Sequence, residues 1–357
     1  MKYTINLFLE QQHTTEIVVG AHLSEVKEGA RCAIVFDAFL QKKITTFVQH
    51  STLLIPLSGG EEVKSFTIYE EVIGTLMAQG CAGDTHLIAC GGGTILDLAG
   101  FVAATYCRGI PLYLIPTTLL SMVDGAIGGK NGINVNGIKN IVGTTYHPKK
   151  VLVDLDFLGT LSEYEMACGA AEMIKHALLA GEEAFSFLEK NLSLLLQKDP
   201  DVMLEAVRES IAIKCAIVQE STGNPEKRHL LNLGHTIAHA IEALENFQVP
   251  HGHAVAIGLI AESFLAMRMG LLSQHDFERI VHVVQALPLS FTLSKRYEYD
   301  EWKKVFTLDK KTVLGQPRFV LLQGPGKYVV ENNKYCHTVP ESRVHEMIDY
   351  VMCFDPS

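Results

Sequence analysis

The chain has 357 residues, of which 48% are hydrophobic and 20% charged, and a formal net charge of −10 at pH 7. That length favours about two domains, and the composition supplies a sizeable core and excludes intrinsic disorder. The acidic balance excludes a general affinity for nucleic acid or anionic membrane, though it leaves room for a local cluster of cations around a small anionic substrate.

In chain order, the opening stretch MKYTINLFLEQQHTTEIVV carries one early lysine and an apolar run interrupted by Asn6 and Glu10, so it does not read as a signal peptide. Five short, β-rich apolar runs follow: CAIVF (32–36), LLIPL (53–57), HLIAC (86–90), PLYLIP (111–116) and VLVDL (151–155). Continuous runs of this kind suit strands of a parallel sheet covered on both faces. The long apolar stretch 85–106 contains Asp97 and several glycines and is no membrane span. After residue 160 such runs stop until about 318, and amphipathic patterns take over: SEYEMACGAAEMIKHALLA, DPDVMLEAVRESIAIKCAIVQE and HGHAVAIGLIAESFLAMRMG. Ser162 with Glu165 makes a capping-box pattern at the start of the first. The expected architecture is an α/β domain with a Rossmann-like parallel sheet over 1–158, then a mostly α-helical domain over 159–357. The eight cysteines contain no C-x-x-C pair, which is the usage of reduced thiols in a cytoplasmic protein.

Several segments carry chemistry. In CGGGTILDLAGFVAA, Gly91, Gly92 and Gly93 follow a strand and open a helix, a geometry that lets backbone N–H groups approach a phosphate. The sequence is not G-x-G-x-x-G, so a tight turn without a ligand is the plain alternative. SGGEEVKS is a second glycine turn, with Glu61 and Lys64 at its edge. TLLSMVDGAIGGKNGIN sets Asp124 and Lys130 among glycines and small apolar residues, and NGIKNIVG adds Lys139 and Asn140; a solvated loop would read the same way. GAAEMIKHALL places Glu172 among alanines with Lys175 on the same helical face, so the carboxylate needs a partner, either that lysine or a metal. LNLGHTIAHAIE puts His235 and His239 four apart, and HGHAVAIG adds His251 and His253 at the start of the next helix. Two histidines, one carboxylate and a water would form a catalytic zinc site with an open position. No H-E-x-x-H occurs, which argues against a metalloprotease.

Taken together, GGGTILDLAGFVAATYCRG, PTTLLSMVDGAIGGKNGIN, KNIVGTTYHP, GAAEMIKH, KRHLLNLGHTIAHAIE, HGHAVAIG and LDKK, in this order, resemble the 3-dehydroquinate synthase family of sugar-phosphate cyclases, from about residue 31 to about 325. The resemblance implies an NAD-binding α/β domain, a helical domain holding a divalent metal (Zn²⁺ or Co²⁺), and an active site in the cleft between them. It places the metal ligands on Glu172, His235 and His251, and gives His239 to substrate phosphate and proton handling. Asp124, Lys130 and Lys175 resemble contacts to substrate hydroxyls and developing charge. Arg108, Asn140, Asn232 and Lys310 or Lys311 resemble the phosphate side, and Lys214 with Arg228 the carboxylate side. Glu61, Lys64, Gly92, Gly93, Asp97, Thr117, Thr118 and Lys139 resemble dinucleotide contacts. The family also implies a homodimer in which Arg108 serves the neighbouring subunit, with no nucleic-acid or membrane partner. The implied reaction belongs to the shikimate pathway of chorismate and aromatic amino acid biosynthesis. The chain departs from the family pattern at His253, where a glutamate is usual, and at Ser221, Thr222 and Glu226, where an Asp-Glu pair and a Gly are usual. The competing readings are another sugar-phosphate cyclase and a metal-dependent, NAD-linked polyol dehydrogenase.

Overall fold

The computed structural model describes residues 1–9, 13–22, 31–48, 52–136, 138–308 and 316–354. The chain forms two compact units, Met1–Leu161 and Ser162–Ser357.

The first unit runs β1 (Tyr3–Leu9), β2 (His13–Val19), β3 (Cys32–Asp37), α1 (Gln41–Thr45), β4 (Leu53–Leu57), α2 (Phe66–Ala78), β5 (His86–Gly91), α3 (Gly93–Thr105), β6 (Leu112–Pro116), β7 (Lys130–Val135), β8 (Ile138–Thr145) and β9 (Lys150–Val153). Seven strands make one sheet in the order β1-β2-β9-β6-β5-β3-β4. Every pairing in it is parallel except that of β1 with β2. The five apolar runs are β3, β4, β5, β6 and β9, and residues such as Ala33, Val35, Leu87, Ala89 and Val151 are fully buried. Two further strand pairs, the β1–β2 hairpin and a separate β7–β8 ribbon, were outside the sequence expectation.

The chain passes from β3 out to the edge strand β4, then returns past β3 to lay down β5 and β6. The order of strands therefore reverses between β3 and β5, which makes the crevice at their carboxyl ends the topological switch point where open α/β sheets bind ligands. Asp37 ends one of these strands and Gly91 the other.

The second unit is helical: α4 (Glu163–Ala180), α5 (Glu182–Leu196), α6 (Pro200–Gly223), α7 (His235–Leu244), α8 (His251–Arg268), α9 (Gln274–Gln285), α10 (Tyr299–Leu308) and α11 (Glu341–Cys353), with a small β10 (Leu322–Gly324) and β11 (Lys327–Tyr328) pair. The capping box opens α4 as expected: the Ser162 hydroxyl accepts from the Glu165 N–H at 3.2 Å, and Glu165 accepts from the Ser162 N–H at 2.9 Å. From Met166 to Leu179 every residue of α4 is buried, polar ones included, so this helix is the spine of the unit. It packs on α8, which packs in turn on α7. Among the described residues no helix is long and apolar enough to cross a membrane.

Candidate active site

In the first unit the glycine turn is built as a helix start. Gly92 caps α3 with no side chain over the first-turn N–H groups, leaving them open to an anion. Thr117 and Thr118 flank it: the Thr117 N–H donates to the Gly91 carbonyl at 3.0 Å, and a Cβ on Gly92 would lie 3.3 Å from the Thr118 methyl. Gly93 is the first residue of α3, and Asp97 projects one turn further on.

Asp97 is tied to Lys64, a buried lysine whose ammonium donates to the Asp97 carboxylate at 2.7 Å. The same ammonium donates to the side-chain oxygen of Asn140 and lies 3.8 Å from Glu61. Asn134 closes the network, donating to Glu61 at 2.7 Å and accepting from the Asn140 N–H at 2.9 Å. Burial pushes the Asp97 carboxyl upward, against the pull of the Lys64 ammonium. The structure thus joins Asn140, expected on the phosphate side, to the set expected around the dinucleotide. Lys139 is half-buried beside it on β8, Lys130 is the exposed first residue of β7, and Asp124 sits in a π-helical turn, Ser121–Gly125. Asp37, absent from the sequence expectation, accepts from the Phe39 N–H at 3.0 Å, and its carboxylate lies 2.7 Å from where a Cβ on Gly59 would sit. Its position at the end of β3 was the available signal.

Arg108 is not brought into this set. It is exposed, with φ of 64°, in the segment that follows the carboxyl end of α3. The 13 residues of α3 at 1.5 Å rise put it about 20 Å from the glycine turn.

In the second unit, Glu172 and Lys175 face inward from α4, both essentially inaccessible, with Lys175 Nζ 2.5 Å from Glu172 Oε2. The other oxygen, Oε1, lies 3.4 Å from His235 Nε2 and 3.4 Å from His251 Nε2. Neither carboxylate oxygen has a hydrogen bond of good geometry. The tautomers explain this for Oε1. His235 Nδ1 faces the Leu233 carbonyl at 3.0 Å, and a carbonyl can only accept, so the proton is on Nδ1 and Nε2 presents a lone pair. His251 Nδ1 donates to the Glu242 carboxylate at 3.1 Å, which directs Nε2 toward Glu172 in the same way. Three acceptors converge, and their ligand atoms lie within 4.8 Å of one another. Buried acceptors facing one another call for a cation between them, and an N₂O donor set fits a divalent metal.

The electrostatics agree with that geometry at Glu172 and His235, whereas at His251 the two carboxylates favour a proton that a metal would have to displace. Burial would raise the Glu172 carboxyl, but Lys175 and the two imidazoles hold it well below the usual carboxylate range. Burial, aided by Lys175, pushes His235 down to about 3. His251 works against its burial and is raised to about 10 by the carboxylates of Glu172 and Glu242. His239 lies beside both rings, with centroids 5.7 Å from His235 and 6.1 Å from His251. A second grouping, His239, Glu242 and His251, is equally close, but Glu172 is the carboxylate with no accessible surface and two imidazole lone pairs aimed at it.

Of the remaining residues, Lys214 is buried on α6, while Arg228 and Asn232 are half-buried on the 3₁₀ segment Pro225–Asn232 that leads into α7. Lys310 and Lys311 lie outside the described residues. The departures have local partners: Ser221 and Thr222 turn their hydroxyls onto the carbonyls of Val218 and Gln219, and Glu226 accepts from His229 at 3.2 Å. His253 donates from Nε2 to the Ser290 carbonyl and therefore accepts the Tyr164 hydroxyl on Nδ1 at 2.9 Å. Its burial lowers the imidazole pKa, in keeping with a neutral ring. A glutamate could not donate to that carbonyl.

The comparisons with known proteins bear on the whole chain. Family models described as 3-dehydroquinate synthase N-terminal and C-terminal match residues 54–168 and 169–312. A 3-dehydroquinate synthase of Dehalococcoides mccartyi (strain CBDB1) is 39% identical over 282 residues, 79% of this chain and 78% of the relative. One from Sulfolobus acidocaldarius is 36% identical over 312 residues, covering 85% and 88%. Among solved structures, 2-epi-5-epi-valiolone synthase from Streptomyces hygroscopicus subsp. jinggangensis, with NAD⁺ and Zn²⁺ bound, superposes with a TM-score of 0.84 at 25% identity, covering 96% of this chain and 97% of that one. By sequence across both units the chain belongs to the 3-dehydroquinate synthase family.

Proposed function

We infer that this chain is a 3-dehydroquinate synthase, converting 3-deoxy-D-arabino-heptulosonate 7-phosphate to 3-dehydroquinate and phosphate in the shikimate pathway, a phosphate-eliminating carbon–oxygen lyase of the cytoplasm. The observation that carries the reading is the buried Glu172 carboxylate, held by Lys175 on one oxygen and faced by two imidazole lone pairs on the other, in a chain of this family. Residues 1–158 are the NAD-binding domain, and residues 159–357 are the domain for the metal and the anionic groups of the substrate. When bound, NAD⁺ supplies a reversible hydride acceptor, and a divalent ion, Zn²⁺ or Co²⁺, supplies a Lewis acid for a substrate hydroxyl.

The residues of the chain do the rest. The open N–H groups at Gly92 and Gly93 receive the dinucleotide phosphates, with Thr117 and Thr118 beside them. The network of Glu61, Lys64, Asp97 and Lys139 fixes the nucleoside side, and Asp37 is placed to accept from a ribose hydroxyl. Glu172, His235 and His251 hold the metal. Lys214 and Arg228 grip the substrate carboxylate, and Asn140, Asn232, Lys310 and Arg108 of a neighbouring subunit grip the phosphate. Asp124, Lys130 and Lys175 meet the hydroxyls and the charge that develops as phosphate leaves. His239, half-buried and beside the ligand pair, is positioned to move the proton that phosphate elimination requires.

The test is direct. Protein with the heptulosonate phosphate, NAD⁺ and Zn²⁺ should release phosphate and dehydroquinate together, and chelated protein should do neither until Zn²⁺ or Co²⁺ is restored. Undiminished turnover by protein free of any bound ion would sink the metal assignment, and absence of dehydroquinate would sink the reaction.

A further inference from the structure

Among the buried acidic residues of the helical unit that have no part in the scheme above, Glu242 and Glu262 reach the histidine pair. Glu242, on α7, is buried and its carboxylate accepts the Nδ1–H of His251, on α8, at 3.1 Å. Glu262, on α8, is buried and reaches the other way. Its two oxygens accept the backbone N–H of Gly234 at 2.9 Å and of Thr236 at 3.2 Å, on either side of His235. We propose that Glu242 and Glu262 are reciprocal positioning residues for the histidine pair, each helix carrying the carboxylate that sets the metal ligand of the other. The proposal rests on the metal reading of Glu172, His235 and His251.

The physics differs at the two ends. At Glu242 the target is a ring: accepting the Nδ1 proton fixes the tautomer and the rotation of His251, so that Nε2 faces Glu172. Ligating imidazoles are commonly oriented by such a carboxylate, and its loss weakens metal binding without removing a ligand. At Glu262 the target is backbone. Gly234 precedes α7, and the first N–H groups of a helix have no intrahelical partner. The α7 start has no side-chain cap of its own, since its N-cap is a glycine. Glu262 supplies the missing acceptors from a different helix, and its negative charge sits at the positive end of α7. A carboxylate buried this deeply costs free energy unless both oxygens are used, and here both are. The two N–H donors bracket the Cα of His235, so the brace sets the direction in which that side chain leaves the backbone. His235 Nδ1 is separately fixed by the Leu233 carbonyl at 3.0 Å. Glu262 therefore acts on the position of the ring, while Leu233 sets its tautomer.

The two roles predict different responses to the same isosteric change. An amide at 242 keeps one oxygen that can still accept a single N–H, so Glu242→Gln should retain much of the wild-type behaviour that Glu242→Ala loses. An amide at 262 can serve only one of two N–H donors and turns its own N–H₂ toward the other, so Glu262→Gln should be nearly as impaired as Glu262→Ala.

The test uses the full-length protein stripped of metal, with Zn²⁺ alone titrated against a chromogenic chelator and Co²⁺ absorption as the readout of ligand geometry. Zinc affinity should fall roughly 10–100-fold in Glu242→Ala, Glu262→Ala and Glu262→Gln, with Glu242→Gln recovering most of the loss. The cobalt bands of the impaired variants should shift. Should the alanine variants fail to fold, the two glutamine variants, which preserve shape, carry the comparison alone. If wild type binds zinc and the folded variants bind it equally well with unchanged cobalt bands, the brace is wrong and the metal site stands. If Glu242→Gln loses zinc as completely as Glu172→Gln, Glu242 is a ligand and the proposal is overturned at that end. If wild type binds no zinc, the metal reading and the brace fall together.

Discussion

Gly258 of α8 lies so close to the carbonyl oxygen of Gly234 that a Cβ at position 258 would sit 1.9 Å from it. Gly252, near the start of the same helix, is pressed as tightly on α4: a Cβ there would come within 2.1 Å of the Cys168 carbonyl oxygen. Both obstacles are backbone, which cannot rotate away as a side-chain tip can. These contacts fix the spacing of the three segments that present Glu172, His235 and His251. Gly258→Ala should therefore force α8 off the α7 start, at a cost of about 2–3 kcal/mol or more, and weaken Zn²⁺ binding along with it. Urea unfolding and zinc titration of the same variant measure both, and a variant with native stability would show the contact to be slack.

Legibility in the sequence followed burial and distance along the chain. The strands β3, β4, β5, β6 and β9 were readable because central parallel strands are covered on both faces and become unbroken apolar runs. The β7–β8 ribbon was not, because residues such as Ile138, Asn140 and Ile141 are exposed and give no such run. Glu172, His235 and His251 stood out as polar groups set in apolar helices, a contradiction that only a partner resolves. Glu242 and Glu262 look like ordinary helix carboxylates, since their partners lie 9 and 28 residues away on another helix. The joining of Asn140 to Lys64 across 76 residues was hidden for the same reason. Periodicity reports which face is buried, not which distant group meets it.

The Lys64–Asp97 pair makes a pH-dependent prediction. Lys64→Met leaves the Asp97 carboxylate beside Glu61 with no cation, which should destabilise the first unit by about 2–3 kcal/mol and weaken NAD⁺ binding. Burial already raises the Asp97 carboxyl, and removing the ammonium raises it further. A raised native pKa means that the folded state holds the proton more tightly than the unfolded chain. The stability this contributes is present in acid and is lost as pH rises through the native value. The deficit of the variant against wild type should thus be small in mild acid and full at alkaline pH. Denaturant midpoints at the two extremes check this, and a deficit that grows on acidification would reverse the assignment.

Arg108 tests the proposed assembly. It is exposed at the end of α3 remote from the glycine turn, where a residue serving its own cofactor site has no business. If it completes the phosphate site of a neighbouring subunit, Arg108→Ala and Lys175→Ala chains should each be inactive alone and recover activity when mixed. In a hybrid dimer one site receives wild-type residues from both chains and the other receives neither, so random exchange should restore about a quarter of wild-type activity. Hybrids verified by mass that remain inactive would place Arg108 in its own subunit's site.

The fate of the hydride separates the cyclase from the NAD-linked polyol dehydrogenase that the glycine turn and paired histidines would also suit. A dehydrogenase releases reduced cofactor with each product, so NADH accumulates one for one. Phosphate elimination from the heptulosonate is redox-neutral overall: oxidation at carbon 5 serves to acidify the neighbouring proton, and the same electrons must return before product leaves. NAD⁺ should therefore be needed only in catalytic amount, and no lasting NADH absorbance should build up while phosphate is released. If Lys214, Arg228, Asn232 and Lys130 serve the substrate as proposed, they suit one with two anionic groups, which simple alcohol oxidation does not require. Substrate deuterated at carbon 5 should yield dehydroquinate that keeps its deuterium at that carbon. Deuterium found instead in free NADH, one equivalent per turnover, would make the protein a dehydrogenase on this scaffold.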